Sequence, residues 1–329
     1  MQVGIFAKTF ARPTLADTLD AVVGHGLNCI QFNFACAGLP SMPDRISPES
    51  ASRMASEIQK RNLAVAAVSG TFNMIHPDPQ QRQDGLRRLA AMAPVCPLLG
   101  ASLVSLCTGT RDPDNQWRHH PQNSSQKAWL DLIASLTRAL EITERFGLTL
   151  GIEPETANVI DSARKARQLL AELKSPRLKV VFDAANLFHP GELLRAREIL
   201  DEAFDLLGNE VAIAHAKDVR EENGELKHVA AGKGDLDYHY YLSKLQEAKF
   251  RGPLLLHGLT ETEVSPSLAF LRAKLPDCRS RREEALTDQS KIIPHSAGQK
   301  SKINQSLPRD KALGAGLTSA PTEAKGGTG

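Results

Sequence analysis

Eight short, continuously apolar segments, each followed by a helical pattern, are what most constrains the fold of this chain of 329 residues. Strands that are apolar along their whole length are buried on both faces, as in a parallel sheet covered by helices. The helical stretch 126–146 carries apolar residues at near-helical spacing and ends before Gly147, which suits a helix C-terminus. The predicted strands are residues 3–7, 28–34, 64–69, 103–108, 148–153, 179–183, 211–216 and 253–258.

This alternation predicts an α/β protein of the (β/α)8 TIM-barrel type. The alternative is an open, doubly wound parallel sheet, but no G-x-G-x-x-G motif follows the first strand. A barrel of this type commonly fills about 250 residues as one domain. We therefore expect residues 1–278 to form one barrel domain.

The last segment, residues 279–329, differs in composition and is predicted to be a disordered tail. It contains no Phe, Trp or Tyr, so it buries too little apolar surface to offset its ordering entropy.

The tail holds nine Lys or Arg and five Asp or Glu, which leaves 31 basic and 33 acidic residues for residues 1–278. The barrel is thus nearly neutral, and we expect no nucleic-acid partner.

Cysteine usage and hydropathy predict a cytoplasmic protein. The five cysteines form no CxxC motif and no framework spacing, which is typical of reduced thiols. The first residues show no leader pattern, and no apolar segment approaches the roughly 20 residues of a membrane span. We expect no membrane partner, and the sequence leaves open whether the chain forms a homo-oligomer.

Acidic and imidazole side chains stand at the ends of the last four predicted strands: Glu153, Asp183, His215 and His257. The carboxyl ends of barrel strands surround one mouth, so these residues would converge. Two carboxylates about 4 Å apart repel by roughly 4 kcal/mol at an effective dielectric constant near 20, and so need a cation, a shared proton or separate partners. We interpret the group as a divalent-metal site.

Each of these four residues also has a structural interpretation. Glu153 could be a buried carboxylate paired with Lys or Arg, and Asp183 could cap the following helix. His215 could be a hydrogen-bonded core histidine, and His257 a rim histidine bonded to a backbone carbonyl.

Further polar residues follow the same strands and are candidates for the substrate pocket. Asn186 is expected to hydrogen-bond the substrate or a metal-bound oxygen, or else to serve the turn. Lys217 lies at the same rim, and Asp218 is either a further metal ligand or a residue that orients one. Glu155, Lys8 and Gln31 lie near strand ends, where they line the pocket or simply stabilise the rim.

The longest connection after a strand, residues 109–125, is expected to cover the mouth and to contact substrate or act as a lid. His120 is included among the substrate-binding candidates, with the alternative that it is a solvated loop histidine. The chemically distinctive side chains of this loop are Arg111, Trp117, His119, His120 and Asn123.

Four motifs in order make residues 1 to about 275 resemble the sugar phosphate isomerase/epimerase group of the xylose isomerase-like TIM barrels. They are Gly-Ile-Glu-Pro-Glu from Gly151, Val-Val-Phe-Asp-Ala-Ala-Asn-Leu-Phe from Val180, His-Ala-Lys-Asp from His215 and Ala-Gly-Lys-Gly-Asp-Leu-Asp-Tyr from Ala231. The resemblance implies a carbohydrate-like substrate and a divalent metal held by Glu153, Asp183, His215 and the last-strand residue. The ketose epimerases of that group exchange a proton between two glutamates, and His257 replaces the second one here.

This replacement changes the expected metal and the expected chemistry. With Glu153 and Asp183 as its only anionic ligands, a site with two imidazoles favours Mn²⁺, Co²⁺ or Zn²⁺ over Mg²⁺. We expect a metal-dependent isomerase or epimerase in which Glu153 or His257 moves a proton through an enediolate. The alternatives are an inosose-type dehydratase and a sugar-binding protein without catalytic activity.

Overall fold

The computed structural model describes residues 1–275, which form a closed barrel of eight parallel strands surrounded by helices. The predicted fold class is confirmed. The prediction for the tail, residues 279–329, lies outside the described residues. The strands are β1 Val3–Phe6, β2 Cys29–Phe32, β3 Ala64–Ser69, β4 Leu103–Cys107, β5 Thr149–Glu153, β6 Leu178–Asp183, β7 Val211–Glu222, β8 Glu225–Ala230 and β9 Leu254–Leu256.

The barrel is closed by the strands at the two ends of the sequence. Strands β1 to β7 follow one another around the ring, and β9 lies between β7 and β1 with parallel pairing to both. This closure removes free sheet edges from the barrel. It also places the carboxyl ends of β5, β6, β7 and β9 side by side.

Helices follow the strands, and six of the eight described between residues 1 and 275 begin after a residue whose side chain caps the first turn. Thr14, Ser47 and Ser125, for example, accept hydrogen bonds from backbone N–H groups of the helices that they precede. The helices are α1 Leu15–Gly24, α2 Pro48–Lys60, α3 Pro79–Met92, α4 Gln126–Glu144, α5 Ala163–Leu173, α6 Ala196–Leu207, α7 Tyr238–Glu247 and α8 Glu261–Lys274.

The inside of the barrel is filled by a layer of small and branched side chains that we call the floor layer. Gly4 and Gly151 belong to this layer, and larger residues would not fit there. A Cβ at these positions would lie only 2.6 and 2.8 Å, respectively, from neighbouring atoms. The layer makes the barrel a packed core rather than a channel. Its members are Gly4, Cys29, Ala67, Leu103, Gly151, Val181, Ile213 and Leu255.

One strand is longer than predicted and carries a hairpin that the sequence analysis missed. β7 continues past residue 216 to Glu222 and pairs with the antiparallel strand β8. Asn223 and Gly224, both at positive φ (55° and 78°), form the two-residue turn between them. The hairpin projects from the mouth of the barrel.

Two further findings concern the cysteines and the helices. Among the described residues, Cys29, Cys36, Cys96 and Cys107 carry free thiols, and the expectation of reduced cysteines stays a prediction. Within residues 1–275, none of the helices combines the length and the apolar character needed to cross a bilayer.

Candidate functional site

Two residues beyond the floor layer on each strand lies a second inward-facing layer, which we call the mouth layer. Because side chains alternate along a strand, a step of two residues returns to the same face. Most of this layer lines a cavity of about 420 Å³. The mouth layer consists of Phe6, Gln31, Ser69, Ser105, Glu153, Asp183, His215 and His257.

Three of the four predicted metal ligands converge in this layer. Asp183, His215 and His257 each offer one donor atom, and these atoms all lie within 4.8 Å of one another. Asp183 and His215 are direct partners in the β6–β7 ladder, which puts their side chains next to each other. Glu153 lies beside the group, with its Oε1 3.4 Å from His215 Nδ1.

The two carboxylate oxygens of Asp183 have different partners, and one of them makes the predicted capping contact. Its Oδ1 accepts a hydrogen bond from the backbone N–H of Ala185 at 3.1 Å and so caps the turn after β6. Its Oδ2 lies 3.5 Å from His215 Nδ1 and 3.9 Å from His257 Nδ1. The second oxygen faces the two histidines while the first one holds the backbone.

The buried donor atoms of this group fit a divalent metal. Within residues 1–275, His215 Nδ1 and Nε2 and His257 Nδ1 are buried without a hydrogen-bond partner, and the buried Asp183 Oδ2 has only an ion pair with Lys217. Buried polar atoms are normally paired, so an orphaned cluster calls for an explanation. Two imidazoles and one or two carboxylates are a donor set typical of Zn²⁺, Mn²⁺ or Co²⁺.

Lys217 changes the charge balance that the sequence analysis assumed. Its Nζ lies 3.1 Å from Asp183 Oδ2 and donates to Asn186 Oδ1 at 2.5 Å. Asn186 Nδ2 in turn donates to Glu153 Oε1 at 2.7 Å. Asn186 and Lys217 do line the cavity, as expected of substrate-binding residues, but their polar atoms already hold the two carboxylates.

The local charges also set the protonation of the two histidines in opposite directions. Burial disfavours charge on His215, but the carboxylates of Glu153 and Asp183 outweigh it and raise the pKa of His215 to about 9. Burial and the neighbouring charge of His215 lower the pKa of His257 to about 4. The pKa of Asp183 stays well below its ordinary value because Lys217 and His215 outweigh the effect of burial.

Glu153 and Glu155 leave the same strand end with opposite pKa shifts. Burial alone would raise the pKa of Glu153, but the charge of His215 gives a net downward shift. Burial and the nearby charge of Glu153 raise the pKa of Glu155 to about 7. Both side chains line the cavity, where Glu153 is the stronger acid of the two.

Comparison with known proteins identifies the family. The family model of the xylose isomerase-like TIM barrel matches residues 19–274. The chain belongs to this family. No curated protein matches the chain in sequence.

Solved structures with a similar fold include members of several reaction classes. The 3-keto-D-glucoside 4-epimerase from E. coli has a TM-score of 0.64 at 16% identity, covering 83% of this chain and 99% of that one. The IOLI protein with a bound zinc atom has a TM-score of 0.62 at 18% identity, covering 81% and 95%. The probable 3-DHS dehydratase AsbF from Bacillus anthracis has a TM-score of 0.64 at 11% identity, covering 83% and 99%. At such identities the likeness is one of fold.

In this xylose isomerase-like barrel, Asp218 is not among the described residues whose donor atoms converge with those of Asp183. Its Oδ1 accepts from the backbone N–H groups of Val219 and Leu236, at 2.9 and 3.1 Å. Its Oδ2 accepts from those of Gly232 and Gly234, both at 3.0 Å. Both oxygens of Asp218 thus accept two hydrogen bonds each. Three of the four donors belong to the motif that begins at Ala231, so Asp218 fixes the backbone of this motif.

Some residues of the loop 109–125 stabilise the loop itself, and others line the cavity. Asn123 Oδ1 accepts from the Arg111 N–H at 2.7 Å, and the Arg111 guanidinium pairs with Asp131 at 2.5 Å. His120 caps its own turn through Nδ1, which accepts from the Gln122 N–H at 3.2 Å. It is not among the side chains that line the cavity in the described structure, where Trp117 contributes instead.

A polar wall formed by β2, β3 and β4 was not predicted from the sequence. Gln31 Nε2 donates to Ser69 Oγ and to Ser105 Oγ, both at 3.1 Å. Gln31 was expected near the pocket, but the two serines were not recognised. The available signal was a polar residue inside an otherwise apolar strand, two positions after a floor-layer residue.

Proposed function

We propose that the chain is a metal-dependent isomerase or epimerase of a sugar or a related hydroxy-carbonyl compound. The observation that supports this most is the group of Asp183, His215 and His257 with unpartnered buried donor atoms beside Glu153. The zinc reported for the IOLI protein shows that a barrel of similar fold binds such a metal.

Glu153 is the base of the proposed reaction. A divalent ion held by Asp183, His215, His257 and Glu153 would polarise the substrate's carbonyl and neighbouring hydroxyl and acidify the C–H between them. Glu153 faces the cavity as a carboxylate and takes this proton, which leaves an enediolate. Asn186 and Lys217 hold the site carboxylates in place through the contacts described above.

In an isomerisation, Glu153 would return the proton to the neighbouring carbon. In an epimerisation, a proton would return to the same carbon from its opposite face, relayed from solvent by His257, whose ring lies at the cavity wall with 27% of its side chain exposed. Glu155 contacts the substrate from the same strand end. Proton removal and return leave the mass of the substrate unchanged, as an isomerisation or epimerisation requires.

A dehydratase is the second candidate, because the same proton removal can be followed by loss of a hydroxyl. Glu155, with its pKa raised to about 7, retains a proton that a departing hydroxide needs. A probable dehydratase is also among the proteins with a similar fold.

Product analysis separates these functions. The protein is stripped of metal, reloaded with Mn²⁺, Co²⁺, Zn²⁺ or Mg²⁺, and incubated with keto sugars, inososes and hydroxy acids in deuterated water. Deuterium in a product of otherwise unchanged composition supports the isomerase or epimerase, whereas loss of water supports the dehydratase. Undiminished ligand binding after metal stripping, without turnover, would instead support a sugar-binding protein.

A further inference from the structure

We call Asp183, His215 and His257 the metal group. The cavity above this group continues sideways into a second cavity of about 590 Å³. We call them the inner and the outer cavity. Ser41, Thr71, Gln116 and Trp117 line both of them. These residues belong to the connections that follow β2, β3 and β4, so the two cavities form one cleft at the mouth of the barrel.

Trp117 stands where the two cavities meet and is 52% exposed. Its position is held by the loop around it: the Trp117 N–H donates to Asn115 Oδ1 at 3.0 Å, and Arg118 pairs with Asp112. A half-exposed indole on a supported loop offers a flat apolar surface at little cost in ordering. The C–H face of a sugar ring is a suitable partner for such a surface.

The charged groups of the outer cavity are already paired within the described structure. Arg88 Nε lies 2.9 Å from Asp44, and Asp112 is bound by Arg118. His76 Nε2 contacts the carbonyl oxygen of Pro113 at 3.0 Å. This wall therefore presents no unpaired cation to a phosphate, while Gln81, Asn115 and Gln116 offer neutral amides.

We propose that the chain takes a two-ring substrate, a glycoside, with one ring in the inner cavity above the metal group. The neighbouring neutral ring occupies the outer cavity with one face on Trp117. This inference rests on the proposed function for the chemistry at the inner ring. It adds the class of the substrate and a second binding site for it.

The test uses Trp117 as its own reporter. The chain has two tryptophans, and the indole of Trp129 donates to Glu172 at 2.9 Å on the outer surface of the barrel. Trp129→Phe in the metal-loaded protein leaves Trp117 as the only indole. Cellobiose, maltose, lactose and trehalose are titrated against their component monosaccharides and glucose 6-phosphate. At least one two-ring sugar should shift the emission saturably and bind about tenfold more tightly than its monosaccharides.

Calorimetry of Trp117 variants then tests the contact itself. Trp117→Ala should reduce the affinity for the two-ring sugar to that for the monosaccharide, and Trp117→Phe should retain most of it. Equal affinities for one- and two-ring sugars, an unchanged ratio in Trp117→Ala, or tightest binding of glucose 6-phosphate would overturn the proposal. The proposed function is tested separately by the metal content of Asp183→Asn. If that content equalled the wild type's, the proposed function would fail, whatever the sugar affinities are.

Discussion

At the residue scale, Asp183 combines a structural and a chemical role in one carboxylate. Asp183→Asn retains an oxygen that can cap the turn through Ala185, but it loses the charge on the oxygen that faces the two histidines. We expect the variant to fold and to lose metal affinity by more than about 100-fold, the upper range for losing a group that only orients a ligand. Metal analysis and thermal melts measure the two effects.

Glu153→Gln provides the comparison for this prediction. It should abolish turnover while Asp183, His215 and His257 retain part of the metal. Full metal occupancy together with wild-type turnover in either variant would place the site elsewhere.

Lys217 competes with a metal for Asp183, because its Nζ lies 3.1 Å from Oδ2. Lys217→Met should increase metal affinity, while the metal-free variant loses stability through the unpaired buried carboxylate, by about 3 kcal/mol. The metal-induced rise in Tm should therefore be larger than in the wild type. Lys8→Met is the matched control, since Lys8 is an exposed lysine that lines the same cavity. An equal rise in all three proteins would contradict this role.

His215 should dominate the pH dependence of metal binding. Its pKa is raised to about 9, so the metal-free site holds a proton on this ring at neutral pH and must release it when a metal binds. Affinity should rise with pH and should fall by about tenfold per unit as pH decreases below that pKa. His257, with its pKa lowered to about 4, is already neutral and contributes little between pH 5.5 and 8.

Calorimetry in buffers of different ionisation enthalpy measures the released proton. About one proton per metal at pH 7 is expected, and none in a His215→Gln variant that still binds metal. Release centred near pH 6.5 would instead assign the titration to an unperturbed histidine.

The convergence of Asp183, His215 and His257 could be predicted because each follows an apolar strand segment, while their binding of a metal stays a prediction. Their contacts could not be predicted. Asp183 forms an ion pair with Lys217, two positions after His215. Whether the long side chain of Lys217 turns inward depends on packing around the mouth. Ser69 and Ser105 could have been predicted, because side chains two positions apart on a strand face the same side and both serines lie two positions after a floor-layer residue.

At the scale of elements, Asp218 connects β7 to the loop that begins at Ala231. A Cβ at Gly234 would lie 2.3 Å from Asp218 Oδ1, so the close approach of this backbone requires glycine. Asp218→Ala removes the acceptor of four buried or half-buried N–H groups and should cost about 3 kcal/mol of unfolding free energy. Urea denaturation measures it. Loss of metal at unchanged stability would make Asp218 a ligand after all.

The β7–β8 hairpin shows where sequence patterns were misread. Residues 220–222 and 225 are charged, so the segment looks like a solvated loop. The hairpin packs on the core only near its base, through Val219 and in part Leu226, so its charged tip shows no apolar pattern. Its strands are stabilised by the backbone ladder and by cross-strand ion pairs such as Lys227 with Glu222. The Asn223–Gly224 pair was the available signal.

At the scale of the whole molecule, the closed barrel was predictable because eight buried strands leave few other arrangements. The assignment of residues 279–329 as a disordered tail stays a prediction. Truncation after Cys278 should leave Tm and metal content near those of the full chain, because the removed segment has no aromatic residue. Thermal melts and metal analysis of the two chains test this, and a decrease of several degrees would show that the segment packs on the barrel.

The loop 109–125 is fastened at both ends by residues that face away from the cleft. Gly109 N–H donates to Asn158 Oδ1 at 2.5 Å, and Asn123 Nδ2 donates to the carbonyl oxygen of Ala157 at 3.0 Å. The segment between Arg111 and Asn123 can thus change in sequence without disturbing Asp183 or its neighbours. Under the proposed function, substrate range can diverge within such a lineage while the reaction is inherited, and an engineer could exchange that segment between relatives to change the substrate.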